Sequence, residues 1–283
     1  MSSRGGLLLR GKRALVVGLL NKHSLAASVA SALLSHGARV VVSSKHPLSD
    51  SQLRACGFPL ASDVLVRECD VTDDASIEEL VGACVERFEG QMDVLVHSVA
   101  FAPREAFTSS GGVLATSREA WQEAMDISAY SLLALTRAAY PLLSSGVDGS
   151  LARDRSVIAL SYAGASRVMP NYNVMGPAKA ALEATARQLA FELGVDGIRV
   201  NCLSPGPMNT VSARGIPGIS RMRKYSEEHS PLRRNATPTE VGNMAAFLAS
   251  EMASAITGQT IYVDGGLSAM APYARDAVTM QRS

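Results

Sequence analysis

The sequence lacks a strong net charge and any long uninterrupted hydrophobic run. Its 283 residues carry a formal net charge of +1, so no field of one sign favours nucleic acid or a membrane surface as a partner. The N-terminal segment contains three consecutive leucines, too few for the core of a signal peptide or for a membrane span. We therefore expect a cytoplasmic protein, with an organelle-targeting segment upstream of residue 1 left open.

Cysteine and histidine are also scarce. The four cysteines include no Cys-x-x-Cys pair, and a chain of this size needs no disulfide staples, so we expect buried free thiols in a reducing compartment. The five histidines show no metal-ligand spacing. This pattern argues against a zinc site, and we predict no metal.

What the sequence does contain is a hydrophobic content of 47%, arranged in short apolar runs rich in β-branched residues. Longer segments with helical periodicity separate these runs, which indicates a parallel sheet covered on both faces. The seven runs are 14–18, 39–44, 64–69, 93–98, 156–161, 198–204 and 259–266.

This pattern predicts an α/β protein, a single doubly wound Rossmann-type domain spanning 1–283 around a seven-stranded parallel sheet. Residues 207–236 interrupt the alternation of apolar runs and helical segments with prolines, glycines and a basic run. A long connection of this kind is usually functional, and we predict a substrate-binding loop there. Thr237 and Glu240 form a predicted capping box that starts the following helix. Residues 271–283 are expected to be a C-terminal tail.

A glycine turn after the first run is the first candidate site. Gly18 ends the run and Ser24 opens the next helix, and a helix N-terminus favours a pyrophosphate. The usual Gly-x-Gly-x-x-Gly pattern is present only in its first glycine. Taken alone, the segment is equally compatible with a plain strand-to-helix turn.

The second run ends in Ser44 and Lys45, without the acidic residue typical of NAD-specific sites. Lys45 could pair with a 2′-phosphate, so both NADH and NADPH are permitted, or it could be a solvated surface lysine. Asp70 follows the third run. It could bind the adenine amino group or cap the helix expected near Ser76.

Tyr172 and Lys179 are seven residues apart, which corresponds to about 700° of helical rotation and hence to one helix face. A nearby ammonium would lower the pKa of the tyrosine. However, Pro177 is comfortable only in the first turn of a helix, so the helix is expected to start between Asn173 and Gly176. Spacing alone favours a packed tyrosine and a surface lysine.

Several motifs then occur in order along the chain: "GLLNKHSLA", "CDVTDDASI", "HSVAFAP", "DISAYS", "LSYAGA", "NYNVMGPAKAALEA", "GIRVNCLSPGPMNT" and "VDGG". Together they resemble the enoyl-acyl-carrier-protein reductases of the divergent short-chain dehydrogenase/reductase group, from about Gly11 to Met270. The Tyr-x6-Lys element is specific, because common short-chain dehydrogenases have Tyr-x3-Lys, and position 176 here is glycine.

The resemblance implies reduction of the 2,3-double bond of an enoyl thioester in fatty-acid elongation, with NADH or NADPH. It assigns Tyr172 as the catalytic tyrosine, Tyr162 as a second active-site tyrosine, and Lys179 as the lysine that holds the nicotinamide ribose. Ala102 matches an acyl-substrate contact. The other cofactor-binding positions that it implies are Gly18, Ser24, Leu25, Lys45, Asp70, Val71, Val99, Met208, Asn209, Thr210, Val211 and Ser212.

The resemblance also implies a homotetramer that acts on a thioester of acyl carrier protein or coenzyme A. The basic run 221–224 could receive an acidic carrier protein, although a solvated charged face is the simpler interpretation. The sequence departs from the family at Leu20, Ala100 and Pro177. The departures near the pocket keep one alternative open, a specialised reductase of an enone or carbonyl. A second alternative is a catalytically silent dinucleotide-binding sensor, against which the presence of both Tyr172 and Lys179 argues.

Overall fold

The seven predicted strands all form and pair into one parallel sheet. The computed structural model describes residues 7–58, 64–108, 112–146 and 154–271, so the predicted tail lies outside the described residues except for Ala271. The strands are β1 (Arg13–Val17), β2 (Arg39–Ser44), β3 (Val64–Glu68), β4 (Val94–His97), β5 (Arg155–Leu160), β6 (Ile198–Pro205) and β7 (Thr260–Val263).

Both faces of the sheet are buried, which explains why the runs are continuously apolar rather than alternating. Successive side chains of a strand point to opposite faces. Leu15 and Leu95 therefore join one core cluster, whereas Val16 and Val96 join the other.

Helices cover the two faces of the sheet. Those of the described residues are α1 (Leu25–Ser35), α2 (Asp50–Ala55), α3 (Asp74–Phe88), α4 (Glu105–Thr108), α5 (Arg118–Met125), α6 (Ser131–Ser144), α7 (Met175–Leu193), α8 (Val211–Arg214), α9 (Ile219–His229) and α10 (Pro238–Leu248). A π-helical turn, Asp126–Tyr130, joins α5 to α6. None of the described helices is both long and apolar enough to cross a bilayer.

The strand order is β3-β2-β1-β4-β5-β6-β7. The chain thus winds outward in one direction from β1 and in the other from β4, which confirms the doubly wound fold. Ligands of such sheets bind at the carboxyl ends of the strands where the order reverses, here between β1 and β4. The extent of one domain over 1–283 stays a prediction.

Two helix starts follow from local sequence. The predicted capping box forms at α10, where the Thr237 hydroxyl accepts from the Glu240 amide and the Glu240 carboxylate accepts from the Thr237 amide. The proposed cap role of Asp70 is wrong: Asp73 caps α3 by accepting from the amide of Ala75.

The predicted loop 207–236 contains no strand among its residues, and α8 and α9 occupy part of it.

Gly242 sets the close approach of α10 to α1. A Cβ atom at this position would lie 2.6 Å from the carbonyl oxygen of Ser28 and 3.0 Å from the Cβ atom of Ala32. Backbone cannot move aside as a flexible side chain can. The two helices can therefore pack at this distance only because the residue lacks a side chain.

We expect Gly242→Ala to lower the free energy of unfolding by about 1–3 kcal/mol, the usual cost of overpacking. Gly82 on α3 is a matched control, because a Cβ atom there meets nothing within 4 Å. Gly82→Ala should stabilise the protein by up to about 1 kcal/mol through helix propensity. Urea unfolding of both variants measures the contrast; equal stabilities would contradict the packing argument.

Candidate active site

Two tyrosines and a lysine lie near one another at the carboxyl edge of the sheet. Tyr162 follows the end of β5, and Tyr172 precedes α7; their ring centroids are 5.0 Å apart with an interplanar angle of 62°. The side chain of Lys179 projects from α7 to the end of β5. Tyr172 and Lys179 are only 6% and 4% exposed, so the interpretation of Lys179 as a surface lysine is wrong.

The start of α7 explains how Tyr172 reaches this position. Asn171 and Asn173 adopt positive φ angles of 63° and 43°, a left-handed conformation that asparagine tolerates better than most residues. The helix then begins at Met175, within the expected range, and Pro177 falls in its first turn, where no amide donor is needed. Tyr172 therefore lies before the helix, and the expectation that it shares a helix face with Lys179 is wrong.

Gly164 leaves space for the Tyr172 ring. A Cβ atom at Gly164 would lie 2.4 Å from Cδ1 of Tyr172, closer than any allowed contact. The glycine of the "SYAGA" motif thus permits the short 3₁₀ turn Ala163–Ala165 to pass directly over the ring. The position of Tyr172 depends on this missing side chain.

The ammonium of Lys179 is held by main-chain carbonyl groups. It donates to the carbonyl oxygen of Leu160 at 2.6 Å and lies 3.5 Å from that of Val99. Burial lowers the pKa of Lys179 to about 8, although Cys202 and Glu183 act in the opposite direction. The lysine is thus a charged group whose charge is sensitive to its surroundings near neutral pH.

Both tyrosines are held in their protonated form. Burial raises the pKa of Tyr162 to about 12 and raises that of Tyr172 further, with an added contribution from Tyr162. The expectation that Lys179 lowers the pKa of Tyr172 is therefore wrong. Two neutral phenols can each donate a hydrogen bond, and the Tyr162 hydroxyl is buried without a partner in the described structure.

The glycine turn after β1 has the geometry of a nucleotide cradle. Gly18 has a φ of 107°, and a Cβ atom there would lie 2.4 Å from the carbonyl oxygen of Ser98. Ser24 is the N-cap of α1, and its hydroxyl accepts from the amide of Ala27 at 3.4 Å and donates to the carbonyl of Asn21 at 2.7 Å. Leu25 is the first residue of α1. The N-terminus of α1 and the glycine that ends β1 fit a dinucleotide pyrophosphate.

Lys45 and Asp70 form an ion pair at the far end of this cradle. The Nζ atom of Lys45 lies 2.9 Å from Oδ2 of Asp70, and Asp70 also accepts from the amide and hydroxyl of Thr72. Burial acts against ionisation, but the donors of Lys45 and Thr72 outweigh it and lower the pKa of Asp70. Val71 is buried beside this pair.

The predicted acyl contact lies in a small apolar cluster next to the tyrosines. Ala102 is buried in this cluster with Tyr172, Val174 and Met175, and Ala100 packs against it. The loop that carries these alanines is fixed by Ser128 of the π-helical turn. The Ser128 hydroxyl accepts from the Phe101 amide and donates to the Phe101 carbonyl, each at 2.9 Å.

The residues predicted to close over the cofactor lie between β6 and α8. Met208 is buried in the core cluster on the α1 and α10 side of the sheet, and Asn209 accepts from the Arg214 guanidinium at 3.1 Å. The Thr210 hydroxyl accepts from the Ala213 amide at 3.1 Å. Val211 and Ser212 form the first turn of α8. Their contact with a cofactor stays a prediction.

Sequence reasoning assigned no role to several buried polar residues that surround this site. His97 ends β4 and is hydrogen-bonded to Ser131 through Nε2 at 2.7 Å; burial lowers its pKa to about 3, and Lys179 acts in the same direction. Ser161 donates to Glu183. His97 and Ser161 lie inside quoted motifs, but only the tertiary structure brings their partners to them.

Comparison with known proteins identifies the family that this architecture matches. The sequence profile of the enoyl-(acyl carrier protein) reductase family matches residues 18–268. The enoyl-[acyl-carrier-protein] reductase [NADH] FabI of Aquifex aeolicus is 40% identical over 95% of this chain and 96% of that protein. The FabI of Neisseria meningitidis serogroup B is 43% identical over 92% of this chain and 96% of that protein.

Solved structures agree with the sequence comparison. The structure of the Aquifex aeolicus enzyme superimposes with a TM-score of 0.83 over 93% of this chain and 99% of that chain. The Bacillus cereus enoyl-acyl carrier protein reductase, solved with NADP+ and indole naphthyridinone, gives a TM-score of 0.85 at 35% identity over 93% of this chain and 99% of that chain.

We expect Ser128→Ala to loosen the loop around Phe101, because it removes both hydrogen bonds that hold the loop. Loss of one buried hydrogen bond costs about 1–3 kcal/mol, so the Phe101 amide should exchange with deuterium roughly tenfold faster or more. Ser144→Ala on α6 is the control, since Ser144 bonds to the carbonyl of Tyr140 within its own helix. Unchanged exchange at Phe101 would exclude this role for Ser128.

Proposed function

Because this chain belongs to the enoyl-acyl-carrier-protein reductase family, we propose that it reduces the 2,3-double bond of an enoyl thioester in fatty-acid elongation. The supporting observation is the contact between two protonated tyrosines beside a buried lysine, at the sheet edge where the fold places ligands. A reduced nicotinamide dinucleotide, once bound, supplies the hydride.

The residues of this chain bind the substrate and the cofactor and polarise the thioester. As negative charge collects on the thioester oxygen, the Tyr172 hydroxyl donates a hydrogen bond to it, as in an oxyanion hole. The unpartnered Tyr162 hydroxyl positions the acyl group or relays a proton. Lys179 holds the nicotinamide ribose and keeps the local field positive. The apolar cluster around Ala102 receives the acyl chain.

The cofactor cradle fits a nicotinamide dinucleotide. Gly18, Ser24 and Leu25 would hold the pyrophosphate at the start of α1, and Asp70 with Val71 would contact the adenine. The other proposed contacts are Val99 and residues 208–212. The relatives' names specify NADH, and we propose that NADPH is accepted as well, because Lys45, the residue after β2, could pair with a 2′-phosphate.

The substrate is proposed to be a thioester of acyl carrier protein or coenzyme A, and the assembly a homotetramer. Apolar side chains exposed on the π-helical turn, α6 and α7 support subunit contacts, notably Tyr130, Leu133 and the 80%-exposed Phe191. The basic run 221–224 lies on α9, where Arg221 and Lys224 are exposed. Its contact with a carrier protein and the cytoplasmic location stay predictions.

We expect Tyr172→Phe to lower kcat/KM for an enoyl thioester by about a hundredfold or more, the usual cost of removing one oxyanion donor. Cofactor affinity should stay unchanged, because the ring still fills its site. Tyr140→Phe is the control: Tyr140 is an exposed tyrosine of α6 that bonds to Asp196 at 2.9 Å. Absorbance at 340 nm with NADH and NADPH follows turnover.

Three results of that assay would contradict the proposed function. Full activity of Tyr172→Phe would remove the tyrosine from the mechanism. Inert enoyl thioesters, together with turnover of small enones or ketones, would instead favour a specialised reductase. A wild-type protein that binds the dinucleotide but turns over no substrate would favour the silent sensor.

We expect Lys45→Met to weaken NADPH binding about tenfold relative to NADH, since a charge-assisted contact to the 2′-phosphate would be lost. The Asp70 ion pair competes for the same ammonium, so the loss is smaller than for an unpaired lysine. Lys224→Met removes a comparable exposed pair with Glu228 and should leave both affinities unchanged. Fluorescence titrations give the ratio; an unaltered ratio would remove Lys45 from cofactor selection.

A further inference from the structure

Glu183 is a buried carboxylate that the mechanism above does not use. It lies one helical turn after Lys179 on α7 and is only 8% exposed. The Ser161 hydroxyl donates to its Oε1 atom at 2.6 Å, and this bond is itself buried. A carboxylate at this depth requires a structural or functional reason, because burying a charge without compensation is costly.

The two charged residues of α7 hold consecutive residues at the end of β5. Lys179 donates to the carbonyl of Leu160, Glu183 accepts from Ser161, and the next residue in the chain is Tyr162. The Ser161 amide also donates to the carbonyl of Leu203 in β6 at 2.7 Å. The segment that carries the second active-site tyrosine is therefore held from the helix and from the neighbouring strand.

Glu183 also acts on Lys179 through its charge, because it opposes the lowering of the lysine pKa by burial. The other titratable groups around the lysine are neutral near pH 7. Burial lowers the pKa of His97 on β4 to about 3, raises that of Cys202 on β6 to about 12, and keeps Tyr162 and Tyr172 protonated.

Two other charged residues interact with groups other than Lys179. Asp126 of the π-helical turn is influenced by Asp70 and Asp74, and Arg187 of α7 acts on Cys202. The ammonium of Lys179 and the carboxylate of Glu183 form no direct ion pair within the described residues. Their interaction is therefore Coulombic, and it acts through a buried region where solvent screens it less than at the surface.

We propose that Glu183, oriented by the Ser161 hydroxyl, is a positioning residue that keeps Lys179 charged at the cofactor site and clamps the strand end that carries Tyr162. This inference rests on the proposed function for the role of Lys179. The charge effect itself is a property of the folded protein and can be measured without turnover.

The direction of the effect on stability follows from the pKa of Lys179. Folding lowers this pKa from its ordinary value of 10.5 to about 8. The protein therefore carries the full cost of a buried ammonium below pH 8, and this cost is relieved as the pH rises from 8 towards 10.5. Without the negative charge of Glu183, the pKa of Lys179 should be lower, so the cost of the buried ammonium should begin to fall at a lower pH.

The test is Glu183→Gln, which removes the charge and nearly preserves the shape. We expect the alkaline limb of the pH profile of kcat/KM, and that of dinucleotide affinity, to move to lower pH by about one unit. The rise in melting temperature with pH should begin correspondingly earlier. Glu192→Gln is the control, since Glu192 is an exposed residue of α7 that bonds to Gln188.

The outcomes separate this inference from the proposed function. A melting-temperature profile that shifts in Glu183→Gln, in a protein that reduces no enoyl thioester, would support the charge effect and contradict the function. Normal turnover by the wild type, with no shift in the variant's pH profiles of kcat/KM, dinucleotide affinity or melting temperature, would overturn the inference. Reduced activity and stability at every pH, with the limb unmoved, would show a merely structural role and would also overturn it.

A second variant keeps the test decisive if Glu183→Gln does not fold. Glu183→Asp retains the charge but shortens the reach to Ser161. We expect its alkaline limb to stay near that of the wild type while kcat falls severalfold, because Tyr162 is less firmly held. A limb that moves by about one unit despite the retained charge would contradict the proposal.

Discussion

Lys179 holds its ammonium inside the carboxyl edge of the sheet, 2.6 Å from the carbonyl of Leu160. Few positions in a protein tolerate such a group, because a buried charge loses its hydration and must find other dipoles. Here the carbonyl ends of β5 and of the loop after β4 provide them. The main chain has to bring these two strand ends and α7 together, and the remaining features of the site follow from that requirement.

Residues without side chains, or with restricted backbones, make this close approach possible. Gly18 lies against the backbone of Ser98, and Gly164 lies against the ring of Tyr172. Pro177 fixes the first turn of α7 after two left-handed asparagines. Each is a local device that orders the backbone before any ligand arrives, so the site does not have to be assembled at the moment of binding.

Much of this architecture was predictable from local sequence, because the relevant signals are local. A continuous apolar run indicates that both faces of a strand are buried, and a capping box indicates where a helix starts. Side-chain environments were less predictable. The spacing of Tyr172 and Lys179 favoured a surface lysine, and only the packing of α7 against β5 shows that it is buried. In the same way, Ser161 and Glu183 are 22 residues apart, so no local pattern connects them.

Buried charges at the two edges of the sheet show what distinguishes the candidate site. At the amino edge, Asp93 pairs with Arg13 and Arg155, and Asp154 pairs with Lys12 and Arg199. Each of these charges has a direct partner, as a purely structural network requires.

At the carboxyl edge, Lys179 bonds to carbonyl groups, has a carboxylate one turn away and forms no direct ion pair within the described part of the chain, and burial lowers its pKa to about 8. Incomplete compensation costs stability, and proteins retain it mainly where a ligand or a reaction uses the group. The contrast between the two edges, direct ion pairs at one and a buried lysine without one among the described residues at the other, supports a functional site at the carboxyl edge.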